Sequence, residues 1–247
     1  MQAAIILVGD ELLSGHTRDA NAWWLAQRLH QLGHRLRRVS LVPDERNALI
    51  AEIDAVLPSV DIVLLSGGLG PTHDDRTTEC VAERFHRKLV IDEPSWQRLQ
   101  ARYNKRGDVP QRTQDAARKM VMVPAGSDVL ENPVGAAPGY VLHEGDHVLV
   151  VMPGVPAELQ AMFDQRVVGK HLLELAPVGL VEVDIEMLEA SFAQQLGEVA
   201  QRFADVEIGS YPHFGERRVT LRFKGDKVRA QAAMDAFFVS VPEAKRL

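Results

Sequence analysis

Asp61-Ile62-Val63-Leu64-Leu65-Ser66-Gly67-Gly68-Leu69-Gly70-Pro71-Thr72-His73-Asp74-Asp75-Arg76-Thr77-Thr78 joins an apolar run, a glycine turn and a polar helix start. Ile62 to Leu65 is short and continuously apolar, the pattern of a parallel strand covered on both faces. Gly67, Gly68 and Gly70 permit positive φ and let a ligand approach the backbone with no Cβ in the way, and Pro71 stiffens the exit. Asp75 or Thr72 is positioned to cap a helix starting near Arg76, so free backbone N–H groups are expected beside Asp74 and Asp75. Phosphate oxygens and a cation can meet in such a loop.

Working outward, Ala3 to Val8 reads as a strand that runs into Gly9-Asp10-Glu11-Leu12-Leu13-Ser14-Gly15. A helix follows from about Ala20 to Leu32, capped by Thr17 or Asp19 and stopped by Gly33, with Ala22, Leu25, Leu29 and Leu32 on one face. Leu36 to Val42 is a second strand, less apolar and so nearer an edge. The helix after Pro43-Asp44 turns Leu49, Ile53, Val56 and Leu57 inward. Successive β-α repeats demand a parallel sheet with helices on both faces, because parallel neighbours need crossover connections. Helices are predicted over Thr78–Phe85, Pro94–Arg106 and Thr113–Lys119, then a strand at Val121–Val123 and a hairpin around Glu144-Gly145-Asp146. Pro156 suits a first helical position, which puts Glu158 at N3. The pattern weakens near Pro177 and Gly179. After it, β-α-β-β-α predicts a small antiparallel sheet covered by two helices. The expected fold is therefore α/β, a mostly parallel three-layer sheet with helices on both faces over residues 1–170, plus a small α+β domain over 178–247.

At 247 residues and 46% hydrophobic content the chain can bury a sizeable core. No basic residue precedes the apolar run Ala3 to Val8, so a strand is read there and not a signal peptide, and a cytoplasmic location without membrane partners is expected. A single cysteine, Cys80, excludes an internal disulfide and a cysteine-based zinc site, and is read as core. A net charge of −6 argues against a nucleic-acid partner, which needs a basic surface. The histidines at 30, 34, 86, 143, 147, 171 and 213 have no paired metal spacing and are read as surface or structural.

Gly9-Asp10-Glu11-Leu12-Leu13-Ser14-Gly15, Asn21, Ser66 to Thr72, Asp74-Asp75, Thr77, Asn132-Pro133-Val134-Gly135, Ala137-Pro138-Gly139 and Pro153-Gly154-Val155-Pro156-Ala157-Glu158-Leu159 together resemble the competence/damage-inducible CinA family. The likeness covers roughly residues 3 to 168 as a molybdopterin-binding-type (MoCF, MoaB/Mog-like) domain. The remainder resembles the small KH-like domain that follows in that family, without a Gly-x-x-Gly loop and with acidic character, so RNA binding is not expected. The Gly9 to Leu12 segment is also similar to the MoeA branch.

The resemblance implies a site for a pterin phosphate or a nucleotide diphosphate, and a metal-dependent pyrophosphatase acting on ADP-ribose-like compounds. It also favours a homo-oligomer. The C-terminal amidohydrolase segment of longer family members has no counterpart in these residues, and that activity is not expected. Asp75 and Asp74 are the candidate catalytic residues, and with Asp10 the candidate ligands for magnesium or a similar hard cation. Gly67, Gly68, Gly70, Thr72, Thr77, Asn132, Gly154 and Pro156 are the candidate ligand-binding residues. If Asp75 holds metal it is not also a free general base, and that choice stays open.

Structural readings stand beside these. Gly9-Asp10-Glu11 also fits a plain turn, Glu158 a capping box better than a ligand, and Asn132 an Asx turn as well as a ligand contact. Trp23 and Trp24 cannot share one helix face. Two other functions compete with hydrolysis: a molybdopterin-binding protein of the cofactor-biosynthesis type, and a non-catalytic oligomeric scaffold.

Overall fold

The computed structural model describes residues 1–107, 109–173, 175 and 179–247. In chain order the elements of the first part are β1 (Gln2–Val8), α1 (Asp10–Leu13), α2 (Asn21–Gln31), β2 (Arg35–Val42), α3 (Arg46–Val56), β3 (Ile62–Ser66), α4 (Thr77–Arg84), β4 (Leu89–Ile91), α5 (Glu93–Arg106), α6 (Gln111–Lys119), β5 (Met122–Pro124), β6 (Asp128–Leu130), β7 (Gly139–Glu144), β8 (His147–Met152) and α7 (Pro156–Met162). The second part holds β9 (Gly179–Ile185), α8 (Ala193–Arg202), β10 (Glu207–Pro212), β11 (Val219–Gly225) and α9 (Lys227–Ser240). Contacts divide the chain into compact units at 1–175 and 176–247. The expected linker residue Pro177 and the expected domain start at Val178 lie outside the described residues.

Six strands form the main sheet in the order β2-β1-β3-β8-β7-β6. β1, β2, β3 and β8 are parallel, and β7 and β6 add antiparallel to one edge. β3 is buried at every position, as its unbroken apolar run predicts. Val63 and Leu65 join one core with α3 and α4, while Ile62 and Leu64 join another with α2 and α7, so the sheet is the middle of three layers. β2 lies at the edge, as its polar content indicated.

The helices follow their apolar spacing. Leu25 and Leu29 of α2 are wholly buried, and Asp19 caps its start by accepting the Asn21 N–H at 2.9 Å. Trp24 meets Phe163 edge-on with ring centroids 5.6 Å apart, while Trp23 is 65% exposed. Residues Phe163–Val167 continue α7 as a π-helical turn, and Leu159, Met162, Phe163 and Val167 are all fully buried. Cys80 sits in the α3/α4 core, where burial pushes its thiol up. β4 pairs with β5 beside the helices α5 and α6.

The second unit is a three-stranded antiparallel sheet in the order β10-β11-β9. Its core contains Phe192, Phe223 and Phe237 with the apolar face of α8. Asp226 caps α9 by accepting the Val228 and Arg229 N–H groups. Among the described residues no helix is long and apolar enough to cross a membrane.

Candidate functional site

β1 is followed by β2 on one side and by β3 on the other, so the chain reverses its direction of sheet growth at β1. Ligands of open parallel sheets bind outside the strand carboxyl ends at such a point. A cleft of about 570 Å³ lies there, lined by Gly9 after β1, Ser66 to Pro71 after β3 and Pro153 to Pro156 after β8.

The glycine loop is held by close backbone approach. Gly67 has φ 113° and its N–H donates to the Met152 carbonyl at 3.2 Å, and a Cβ there would collide with the Val8 carbonyl oxygen. Gly68 has φ 67°, and its missing Cβ makes room for the Thr77 hydroxyl. Gly70 does not use positive φ. It is small because a Cβ would strike the Asp75 carboxylate.

Asp75 turns back on its own loop. Its Oδ2 accepts the Thr72 N–H at 2.9 Å and the Thr72 hydroxyl. Neither Asp75 nor Thr72 caps α4, whose preceding residue Arg76 has no side-chain cap; the loop competes for the Asp75 carboxylate and wins it. The Thr72 hydroxyl bonds to Asp75 and by its proximity, with nearby backbone N–H groups, also holds the exposed Asp74 carboxyl below its ordinary range.

Asp44 is the acid that sequence reading passed over. It follows β2, which flanks β1, and so lines the cleft with Asp74 and Asp75. Its Oδ2 accepts the Asp10 N–H at 2.9 Å. Burial pushes its carboxyl up, and the negative charges of Asp10, Glu11 and Asp74 push the same way against that hydrogen bond. The Asp10 side chain is exposed outside the lining residues. Six carboxylates, those of Glu11, Asp19, Asp44, Asp74, Asp75 and Glu158, line the cleft against one guanidinium, Arg18. Lys119 stands nearby, its Nζ 3.0 Å from the Thr72 carbonyl and 3.5 Å from Glu79.

Other sequence-predicted residues divide between lining and support. Gly154 and Pro156 line the cleft, whereas Thr77, 1% exposed, lies beneath Gly68 with its Oγ1 unpartnered. Asn132 is buried in an Asx turn. Its Oδ1 accepts the Val134 and Gly135 N–H groups, and its Nδ2 donates to the Ala137 carbonyl at 2.8 Å and to Glu158 Oε2 at 2.7 Å. That contact also replaces the expected capping box, since Glu158 stands at N3 but is drawn to Asn132, and α7 has no side-chain cap. Asn21 is 7% exposed and lines the cleft. Its Nδ2 donates to Ser66 Oγ at 3.1 Å and to the Gly154 carbonyl at 2.7 Å, while its Oδ1 is without a partner. The Gly154 carbonyl can only accept, which fixes the orientation of the amide.

A cleft at the carboxyl ends of a mostly parallel sheet defines an α/β ligand-binding domain, and residues 4–172 match the family described as the probable molybdopterin binding domain. Residues 177–246 match the middle domain of FAD synthase. A protein of Archaeoglobus fulgidus is 36% identical over 242 residues, covering 96% of each chain. A CinA-like protein of Salinibacter ruber is 34% identical over 251 residues, covering 98% of this chain and 60% of its own length. The solved structure of the protein CinA, of unknown function, from Thermoplasma acidophilum superposes with a TM-score of 0.59 at 34% identity, over 66% of this chain and 94% of that one. The chain belongs to the CinA family.

Proposed function

We propose that the cleft binds a nucleotide diphosphate of the ADP-ribose class and hydrolyses its pyrophosphate bond with the help of a divalent cation, giving AMP and a sugar phosphate. The observation that carries this reading is the meeting of the Gly67 to Gly70 backbone with the Asp44, Asp74 and Asp75 carboxylates in one cleft. Six carboxylates against one guanidinium repel a diphosphate unless a cation intervenes, so an acidic cleft and an anionic substrate together call for metal.

The donor set fits a hard cation shared with the substrate. Among the described residues no three carboxylates of the cleft bring ligand atoms within 4.8 Å of one another, so a protein-only cage is not the design. Magnesium is commonly held by one or two carboxylates plus substrate phosphates. Asp74, exposed and ionised, and Asp44, whose raised pKa a cation would reverse, are the favoured ligands, with Asp10 flanking them. Asp75 serves by holding the loop through Thr72. When bound, the cation neutralises charge on the phosphoryl oxygens.

The chain's own residues do the rest. Backbone N–H groups of the glycine loop hold one phosphate, Arg18 meets the other, and Asn21 Oδ1 accepts an N–H from the exocyclic amino group of the adenine. A carboxylate engaged by the cation is not also a free base, so whichever of Asp44 and Asp74 the cation leaves free orients the attacking water. One bridging P–O bond breaks with its electron pair going to the oxygen of the departing monophosphate, the water oxygen forms the new P–O bond, and of the water's two protons one passes to the orienting carboxylate and the other stays on the new phosphate.

A second reading, pterin binding without turnover, is supported by the family's description and by the same unpartnered Asn21 Oδ1, since a pterin ring also offers N–H donors. Incubating the pure protein with ADP-ribose, other dinucleotides and a pterin phosphate, with and without Mg²⁺, separates them. Metal-dependent AMP release that falls in Asp74→Asn supports hydrolysis. Pterin binding with no AMP above that of a protein-free control supports the second reading, and binding of neither leaves the scaffold.

A further inference from the structure

Asp128, His143 and His171 each offer one ligand atom, and these atoms lie within 4.8 Å of one another. The residues come from distant parts of the first unit, and the topology explains their meeting. Asp128 on β6 pairs with Val141 on β7, and His143 follows two positions along β7, so Asp128 and His143 are diagonal neighbours on one face of the sheet. Val141 packs in the core cluster that also contains Phe163, Val167 and Leu172. Fully buried Leu172 therefore anchors its neighbour His171 over that face. The turn is fixed by the His171 N–H to the Val167 carbonyl at 2.9 Å and the Gly169 N–H to the Leu172 carbonyl at 2.9 Å.

We propose that Asp128, His143 and His171 form a binding site for a divalent transition ion of the zinc class, which ties the end of the first unit to its outer strands. Two imidazoles and a carboxylate are the donors such ions take, and they leave at least one position for water. His171 Nε2 is shielded from solvent with no hydrogen-bond partner, so a ring nitrogen of the cluster stands unsatisfied. Asp128 Oδ2 and His143 Nε2 are 4.0 Å apart, against about 3.3 Å for two ligands of one tetrahedral zinc. Both side chains are half exposed, so rotation closes that gap. Lys170 Nζ, 3.8 Å from Asp128 Oδ2, occupies part of the same charge field and gives way because its side chain is 63% exposed. The site lies away from the cleft: His143 pairs with Val148 near the start of β8, whereas Met152 at its other end leads into the cleft.

Cobalt titration tests the site on the untagged full chain after treatment with a chelator. Wild type should bind one equivalent of Co²⁺ with visible d–d bands, displaced by Zn²⁺ and not by excess Mg²⁺, and the Asp74→Asn variant should behave alike. His143→Ala and His171→Asn should each weaken binding by more than the roughly 10–100-fold that loss of an outer-shell partner costs. Lys170→Met should tighten it. Zn²⁺ should raise the thermal midpoint of wild type and leave that of His143→Ala unmoved, a readout independent of any activity. Absence of the bands in wild type overturns the proposal, as does cobalt affinity unchanged from wild type in the two histidine variants.

Discussion

Replacing Gly67 by alanine tests how the glycine loop is built. Gly67 holds φ 113°, which an L residue adopts at a cost of about 1–3 kcal/mol. The added Cβ would also meet the Val8 carbonyl oxygen, a backbone atom at the end of β1 that cannot rotate aside. The shift needed pulls on the Gly67 N–H bond to Met152, a tie between β3 and β8. About 3 kcal/mol or more is therefore expected in total. Gly15 supplies the control: it has φ 74° but nothing within 4 Å of its Cβ, so Gly15→Ala should cost only the conformational part, about 1–2 kcal/mol. At roughly 2–4 °C per kcal/mol for a unit of this size, the midpoints should fall by about 6–12 °C for Gly67→Ala and about 2–8 °C for Gly15→Ala. Trp23, Trp24 and Trp96 all lie in the first unit, so tryptophan fluorescence during heating reports that unit alone. Equal losses in the two variants would refute the claim that close backbone approach, and not φ alone, demands glycine at position 67.

Asn132→Ala removes a buried amide that makes four hydrogen bonds, and on the order of 3 kcal/mol should be lost, seen in the same fluorescence transition. Asp44 has its pKa raised in the fold, so its ionisation opposes folding: stability is lost as pH rises from its ordinary value of 3.8 through the folded value. Asp44→Asn should accordingly be more stable than wild type at neutral pH without metal, with the difference vanishing below pH 3.8, and saturating Mg²⁺ should shrink it by stabilising wild type. Asp205 shows the opposite sign. Its hydrogen bonds from Arg229 hold it at about 2, so its contribution is present above 3.8 and lost as pH falls towards 2, and Arg229→Met should flatten the acid limb of second-unit unfolding followed by circular dichroism.

Much of this was legible in the sequence because the strands carry their own signal. The continuous run of Ile62 to Leu65, the polar edge of β2 and the 3.6-residue spacing of Leu25 and Leu29 each encode burial directly. The pieces that escaped are short: α1 with four residues and β4 and β6 with three are too brief to display a period. Site residues divide in the same way. The glycines after Ser66 are readable because a turn needs them locally, whereas Asp44 reaches the cleft only because β2 flanks β1. Side-chain choices were also hidden, since Asp75 and Glu158 each stood where a helix cap would stand and were taken by Thr72 and Asn132 instead. His143 and His171 share no motif, and only the packing of Leu172 under β7 brings them together.

The most direct test of the proposed activity is phosphorus NMR of ADP-ribose mixed with the pure protein and Mg²⁺. Loss of the paired diphosphate resonances and growth of two monophosphate resonances, abolished by chelator and strongly slowed in Asp74→Asn, is the predicted result. Intact diphosphate after prolonged incubation of folded, Mg²⁺-loaded protein would contradict it.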